Sequence, residues 1–300
     1  MVFMGQEQSG TNFKLERFKI LMTAPANTRG FLLFVTLFVS GCSTMPMFRD
    51  RSSVADTIAA HAGFTKEYIK AGDFTLMTYQ KFNPPSDRIR IYIEGDGRAW
   101  ETKYRASDDP TPLNPVALRL AAVDPAGNIA YISRPGQYSR TGTPECDPKY
   151  WTGYRFAREV ISSVGEAIDQ LKEKSSARYV ELVGFSGGGA IAILVAARRG
   201  DVVSLRTVAG ELDSKAFCQY HHVSQLEGSL DPMDAAQEVS HIPQRLFVGS
   251  NDKVVPGFIA RNFVRQEGDN GHGRISVVDG PTHTKGWQER WRDLLSLPLS

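Results

Sequence analysis

A serine between glycines is the residue of this chain best suited to covalent chemistry. Ser186 lies in the run Gly184-Phe185-Ser186-Gly187-Gly188, which fits the pattern G-x-S-x-G. An apolar run, YVELVGF, ends at this motif, and a second, AIAILVAARR, follows it. The first run is typical of a buried strand and the second of a helix, so Ser186 is predicted on a strand-to-helix turn. A hydroxyl presented on such a turn can attack a carbonyl carbon when a neighbouring base accepts its proton.

The glycines have a physical reason on such a turn. A serine there adopts a strained backbone, and side chains on its neighbours would collide where strand and helix converge. The amino end of the helix also directs unpaired N–H groups toward charge that forms beside the hydroxyl. The glycine-rich alternative is a phosphate-binding loop, which would end in Gly-Lys-Ser or Gly-Lys-Thr, and this run does not.

Strand-like and helix-like segments alternate from about Thr57 onward. This alternation predicts an α/β fold, with a mostly parallel sheet and helices on both faces. The runs Phe64–Ile69 and Phe74–Phe82 flank Ala71-Gly72-Asp73, which predicts a first hairpin that adds an antiparallel edge. The last predicted helix covers Lys285–Leu295.

Two long segments interrupt the alternation, Arg134–Tyr154 and Gly210–His241. Both are rich in glycine, proline, aromatic and polar residues, and both follow the carboxyl end of a predicted strand. Because ligands of open α/β sheets bind at that edge, we expect these insertions to form lids or pocket walls. Surface decoration is the alternative.

The motif around Ser186 and the residues that follow it along the chain resemble the α/β-hydrolases. That family places a serine, then an acid, then a histidine, each after a strand. Here a predicted strand ends just before Asp252, and the last one ends before His283. The resemblance covers about 74–297 and implies that His283 is the base and Asp252 the acid. Asp213, after the preceding strand, is the competing acid.

The resemblance also implies an oxyanion hole made of two backbone N–H groups. Gly187, directly after the serine, supplies the first. In that family the second comes from the loop after the third strand, where Asp96 is the expected donor and Gly95 and Gly97 are alternatives. Glu94-Gly95 stands where many members of the family have His-Gly.

The amino-terminal region contains a short apolar run, Phe31–Val39, which follows Arg29. Nine helical residues rise about 14 Å, so the run is too short for a hydrocarbon core of about 30 Å. A positive flank and a short apolar run followed by small residues are typical of a signal peptide. Val39-Ser40-Gly41-Cys42 resembles a bacterial lipobox, in which the cysteine is lipidated and becomes the first residue of the mature protein.

The lipobox implies how the chain is divided and where it is located. We expect three segments: the signal-peptide region over 1–41, a lipidated tether over 42–56, and a single hydrolase domain over 57–300. Within the first segment, we expect translation to start at Met22. By resemblance to Gram-negative lipoproteins, Ser43 after the cysteine favours the outer membrane, with the protein facing the periplasm. Diacylglycerol and an amide-linked acyl chain such as palmitate suffice for stable anchoring.

The composition excludes several classes of protein and limits what the cysteines do. Of the 300 residues, 41% are hydrophobic and 23% charged, as in a globular protein. The net charge is +2 without dense Lys/Arg clusters, so nucleic acid is not an expected partner.

The three cysteines lack the CxxC spacing of metal sites. Cys146 and Cys218, one in each insertion, are predicted to form a disulfide, with two separate thiols as the alternative.

Together these features predict a membrane-anchored serine hydrolase that acts on carboxylic esters, either small molecules or lipid-like esters. The chemistry requires no cofactor and no metal. A peptidase or a lipase on the same scaffold is the nearest alternative, because a serine, a histidine and an acid do not distinguish an amide from an ester. A binding lipoprotein that uses this fold without catalysis is the other. The substrate and the oligomeric state are left open by the sequence.

Overall fold

A central sheet organises the chain. The computed structural model describes residues 51–83, 86–139 and 147–299. The strands are β1 (Thr65–Ala71), β2 (Phe74–Phe82), β3 (Arg88–Ile93), β4 (Trp100–Thr102), β5 (Arg105–Ala106), β6 (Asn128–Ile132), β7 (Tyr179–Phe185), β8 (Val202–Val208), β9 (Gln244–Gly249) and β10 (Gly273–Val278). Eight of them form one sheet in the order β1-β2-β6-β3-β7-β8-β9-β10, and β4 and β5 form a separate small ribbon.

The sheet is antiparallel at one edge and parallel elsewhere. β1 pairs antiparallel with β2, and β2 pairs antiparallel with β6. All further neighbours in the order, from β6 to β10, run parallel. The hairpin between β1 and β2 closes at Gly72, whose φ of +52° suits glycine. The predicted mostly parallel sheet with an antiparallel first hairpin is therefore confirmed.

Helices cover both faces of the sheet. They are α1 (Arg51–His61), α2 (Val116–Val123), α3 (Arg158–Ser175), α4 (Gly187–Ala196), α5 (Ser214–His221), α6 (Ala236–Val239), α7 (Phe258–Glu267) and α8 (Trp291–Ser296). In β3, Ile91 and Ile93 pack in a core with α3 and α4, whereas Tyr92 packs in a second core with α2 and α8. This alternation is the two-residue period of a strand that is buried on both faces.

The structure corrects two predicted boundaries. α1 begins at Arg51, so the last residues of the predicted 42–56 tether are helical, and its Ala55 and Ala59 are buried one turn apart. The predicted helix over 285–295 begins later, because a 3-10 turn covers Gln288–Arg290 and α8 follows it at Trp291. Gly286 has a φ of +84°, a left-handed conformation, so no right-handed helix can run through it from Lys285.

Several predictions concern residues outside the described ranges: the signal peptide with its Met22 start, Cys42, Ser43 and Cys146. No helix among the residues that the structure describes is long and apolar enough to cross a membrane.

Among the described residues, Cys218 is a buried cysteine without a disulfide partner; Cys146 lies outside them, so the predicted pairing stays a prediction. Hydrogen bonds join the second insertion to the region where the first one ends. Ser229 Oγ donates to Gly153 O at 2.9 Å, and the Leu230 N–H donates to Phe156 O at 3.1 Å. The buried Cys218 side chain packs as a small apolar group.

Candidate active site

Ser186 lies on a strained turn between the end of β7 and the start of α4. Its φ of +51° and ψ of −123° form a combination that costs free energy outside glycine. The glycines allow the close contacts of this turn. A Cβ on Gly184 would lie 2.3 Å from Gly188 O, and a Cβ on Gly188 would lie 2.2 Å from Ile93 O. The G-x-S-x-G pattern therefore reflects backbone packing between β7, α4 and the end of β3.

Ser186, His283 and Asp252 form one hydrogen-bonded row. His283 Nε2 lies 3.0 Å from Ser186 Oγ, and His283 Nδ1 lies 2.9 Å from Asp252 Oδ2. A carboxylate only accepts hydrogen bonds, so the proton of the neutral ring lies on Nδ1. Nε2 is then the acceptor for the serine hydroxyl, which is the arrangement that a general base requires.

The other oxygen of Asp252 fixes the orientation of its carboxylate. Oδ1 accepts the N–H groups of Val254 at 2.8 Å and Val255 at 3.0 Å. The Asp252 side chain is fully buried, so these bonds satisfy a charge that has no access to water. Oδ2 is thereby directed at His283.

Asp213, the competing acid, has a different role. Its Oδ1 accepts the N–H of Ala216 and caps α5, and its Oδ2 accepts a hydrogen bond from Asn262 Nδ2. Both oxygens are engaged, and neither hydrogen bond involves His283. The structure therefore pairs the histidine with Asp252, as the sequence predicts, and assigns Asp213 to a helix terminus.

The loop after β10 holds His283 from its backbone side. Trp287 Nε1 lies within 3.0 Å of Thr282 O and 3.1 Å of His283 O. The His283 ring also stacks near Phe185, with centroids 5.1 Å apart. Since Trp287 is almost completely buried, the carbonyls that it holds are fixed to the core.

The loop after β3 lies directly on the serine turn. A Cβ on Gly95 would lie 3.2 Å from Ser186 Cβ, and a Cβ on Gly187 would lie 2.2 Å from Asp96 Oδ1. The Gly95 N–H donates to Glu94 Oε1 at 2.9 Å and is not available to a substrate. Within the described residues, no hydrogen bond engages the N–H of Asp96, Gly97 or Gly187. The three predicted candidates for the second donor are thus reduced to Asp96 and Gly97.

Glu94 explains the departure from His-Gly at this position. Its buried carboxylate accepts the N–H groups of Gly95 and, at 3.4 Å, Ala117 in the first turn of α2. Pro115, which precedes that helix, provides no side-chain cap. Glu94 therefore joins the loop to the start of α2, and burial raises the pKa of its carboxyl to about 7.

A buried network of four charges holds the Asp96 side chain. Asp96 Oδ1 lies 2.9 Å from Arg134 Nη1, and Oδ2 lies 3.2 Å from Arg155 Nε. Arg155 Nη2 also lies 2.6 and 2.7 Å from the two oxygens of Glu211. Burial raises the pKa of Glu211, against the opposing charge of Arg155. The two arginines offset the negative charge of Asp96 beside the serine turn, where an unpaired carboxylate would repel a forming oxyanion.

Sequence reasoning missed Arg134, Arg155 and Glu211. Arg134 comes just after β6, and Glu211 just after β8, so both belong to the sheet edge that carries Ser186. Charged residues directly after buried strands are the signal that could have found them. The pairing of Arg134 and Arg155 with Asp96, and of Arg155 with Glu211, joins segments far apart in the sequence, and no local pattern encodes it.

No family model and no curated protein matches this sequence. Solved structures do match. A serine hydrolase homologue from Coxiella burnetii has 18% identity and a TM-score of 0.52, with 77% of this chain and 93% of that chain covered. The fold is that of an α/β-hydrolase. An esterase of Pyrococcus furiosus, at 13% identity, has a TM-score of 0.55 and covers 79% of this chain and 90% of its own. A proline iminopeptidase of Mycobacterium smegmatis, at 14% identity, has a TM-score of 0.55 and covers 77% and 96%.

These structures include an esterase and a proline iminopeptidase, and identities of this size show the fold alone. The fold does not determine the chemistry of the present chain, which depends on its own side chains. Among the described residues, no group of three or more His, Cys, Asp or Glu side chains is arranged to hold a metal ion.

Proposed function

We propose that this chain is a serine hydrolase that cleaves carboxylic esters through an acyl-enzyme and is anchored to a membrane by a lipid. The observation that supports the catalytic part is the hydrogen-bonded row of Ser186, His283 and Asp252, next to the N–H groups of Gly187 and Asp96. A catalytically silent binding protein would not need a histidine held in the tautomer that accepts the serine proton.

Acylation begins with proton transfer. His283 Nε2 takes the proton of the Ser186 hydroxyl while Oγ forms a bond to the carbonyl carbon of the ester. The carbonyl π electrons move onto oxygen, and the N–H groups of Gly187 and Asp96 stabilise that oxyanion. Asp252 stabilises the imidazolium. When the tetrahedral intermediate collapses, the imidazolium protonates the departing alcohol and leaves an acyl group on Ser186.

Deacylation repeats these steps with water. His283 accepts a proton from water as the water oxygen attacks the acyl carbon, and it then returns the proton to Ser186 Oγ as the acid leaves. Removal of one oxyanion donor from a site of this type costs about 10²–10³ in rate. A proline in place of Asp96 removes the N–H together with the carboxylate, so Asp96→Asn, which keeps the N–H and loses only the charge, is its control.

An active-site probe tests the nucleophile. A fluorophosphonate should label the wild-type protein and should not label Ser186→Ala, because the probe reacts with a serine activated by a base. Ser163→Ala is the matched control, since Ser163 is a buried serine on α3 with 1% exposure. Equal labelling of wild type and Ser186→Ala would disprove the assignment, and no labelling of any variant would favour the silent binding protein.

A series of substrates identifies the type of bond that the protein cleaves. Nitrophenyl esters of increasing acyl length, together with the corresponding anilides, separate an esterase from a lipase and a peptidase. We expect hydrolysis of the esters and none of the anilides. Faster turnover of an anilide than of its ester would replace the ester assignment with a peptidase.

Metabolic labelling and membrane fractionation test the anchor. Cys42→Ser should lose its acyl chains, which metabolic labelling with a palmitate analogue would detect. Ser43→Asp should keep the lipid and, by resemblance to Gram-negative lipoproteins, move the protein from the outer to the inner membrane. A wild-type protein without label would refute lipidation and, with it, the proposed division into a signal peptide over 1–41 and a tether.

A further inference from the structure

Three large apolar side chains are exposed on one short segment, residues 98–114, called here the 98–114 loop. Trp100 is 47% exposed, Tyr104 86% and Leu113 66%. Single exposed apolar residues are ordinary on a protein surface. Three of them on one segment, two of them aromatic, are typical of a contact surface.

The exposure is not the consequence of a loose segment. The Ser107 N–H donates to Ala99 O at 2.9 Å, which closes the β4–β5 ribbon at its base. Trp151 Nε1 donates to Ser107 O at 3.0 Å and ties that base to the core. The Arg98 N–H donates to Pro110 O at 3.0 Å and brings the two ends of the loop together. The aromatic side chains are therefore presented outward by an ordered backbone.

The 98–114 loop borders the candidate active site on two sides. It begins directly after Asp96 and Gly97, the candidate oxyanion donors. It ends at Asn114, whose Nδ2 donates to Thr284 O at 2.9 Å, one residue after His283. A surface that contacts this loop therefore lies at the entrance to the site.

The start of the described chain is bound to the same loop. Arg51 Nη1 donates to Asp109 O at 2.8 Å and to Thr111 O at 3.1 Å. Only eight residues lie between Cys42 and Arg51, and the nine Cα-to-Cα steps that join the two reach about 30 Å when fully extended. A domain of this size has a diameter of about 45 Å. A lipid on Cys42 would therefore keep the side with the 98–114 loop turned toward the bilayer.

We propose that the 98–114 loop docks on the lipid surface in which Cys42 is anchored, so that the site takes esters presented at that surface. The proposal rests on the lipidation put forward above. Trp100 and Tyr104 have the amphipathic rings that prefer the boundary between headgroups and acyl chains. Lys103, exposed beside them, adds attraction to anionic headgroups, whereas Arg105 is paired with Glu101.

Quenching by brominated lipids tests the docking directly. The full chain is reconstituted in phosphatidylethanolamine–phosphatidylglycerol vesicles with brominated acyl chains, and tryptophan fluorescence is measured. Trp100 reports almost alone, since the other three tryptophans, Trp151, Trp287 and Trp291, are at most 3% exposed. We expect quenching in the wild type and its loss in Trp100→Phe. Equal quenching in both, or none in either, would overturn the proposal.

Activity tests the consequence. In Trp100→Ser/Tyr104→Ser, kcat/KM for an ester embedded in vesicles should fall about tenfold, since each aromatic side chain loses apolar contact with lipid. Hydrolysis of a soluble nitrophenyl ester should not change. Tyr179→Ser/Val277→Ser is the matched control, because these side chains are 41% and 66% exposed elsewhere on the surface. Equal losses in both double variants would refute a specific docking surface.

The outcomes also separate docking from catalysis. If no variant hydrolyses any ester while Trp100 is still quenched, the proposed function fails and the docking surface stands. If the soluble ester is cleaved but the chain does not float with vesicles, catalysis stands and the docking surface fails. A dimer that Trp100→Ser/Tyr104→Ser dissociates, without quenching in the wild type, would assign the face to a second copy instead.

Discussion

The two oxygens of Asp252 have different partners, and this difference predicts what happens when one of them becomes an amide. In Asp252→Asn, the position that now accepts the N–H groups of Val254 and Val255 must stay an oxygen, because an NH₂ group there would face two donors. The NH₂ group therefore occupies the other position, which lies 2.9 Å from His283 Nδ1. It donates to Nδ1, and the proton of the ring moves to Nε2.

A histidine in this tautomer cannot accept the proton of Ser186. The loss of a correctly oriented base in sites of this type reduces kcat about 10⁴-fold, or about 5.5 kcal/mol in the activation free energy. The fold should survive, since the amide has the same shape and keeps both backbone hydrogen bonds. We expect the melting temperature of Asp252→Asn to change little compared with its activity.

The assay is kcat/KM for a soluble nitrophenyl ester, measured together with the thermal melting temperature. Asp213→Asn is the matched control, because Asp213 is a buried aspartate after the preceding strand that caps α5, and asparagine caps helices equally well. It should retain activity within about twofold. The reasoning is refuted if Asp252→Asn retains more than about a tenth of the activity, or if Asp213→Asn loses as much.

Three further predictions concern the surroundings of the site. Burial raises the pKa of Glu94 from 4.5 to about 7, so its contribution to stability is complete below pH 4.5 and is lost as the pH rises through 7. As the pH rises from 5 to 8, the free energy of unfolding of the wild type should therefore fall by up to about 3 kcal/mol more than that of Glu94→Gln. Urea titrations at several pH values measure this, and parallel pH profiles of the two proteins would contradict it. Arg155→Met leaves the buried Glu211 unpaired and should cost about 3–5 kcal/mol of unfolding free energy, most of which Arg155→Met/Glu211→Met should recover. Equal losses in the single and double variants would show that the pair is not coupled. Cys218 is 1% exposed and burial raises its pKa, so its thiol should react with a disulfide reagent only after unfolding, and rapid labelling of the native protein would count against the described packing.

The catalytic candidates could be predicted because each follows a strand. A parallel strand that is buried on both faces leaves a continuous apolar run in the sequence, so the positions just after β7 and β9 can be located without coordinates, and the short β-branched run Ile275–Val278 locates the edge strand β10. Ser186, Asp252 and His283 all stand in such positions. The carboxyl ends of parallel strands share one edge of the sheet, and this predicts that the three side chains lie near one another.

Other features could not be predicted, because they depend on contacts between distant segments. The choice between Gly95 and Asp96 as a donor depends on whether a carboxylate engages the N–H, and Glu94 engages that of Gly95. Whether Cys146 and Cys218 pair also depends on a distance that cysteine spacing does not give, and Cys146 lies outside the described residues. The helix at Arg51 was missed, because few of its residues are buried and its apolar pattern is weak.

The sequence by itself determined the alternation of the main strands and helices, the serine turn and the candidate residues at the strand ends. These depend on the period of apolar residues and on glycines that permit close backbone contact, which are local properties of the chain. Only the tertiary structure decided which acid faces His283, which N–H groups are unengaged, and that Arg134 and Arg155 hold the Asp96 side chain. Such choices depend on distances and buried charges between segments far apart in sequence, and the chain must fold before those distances exist.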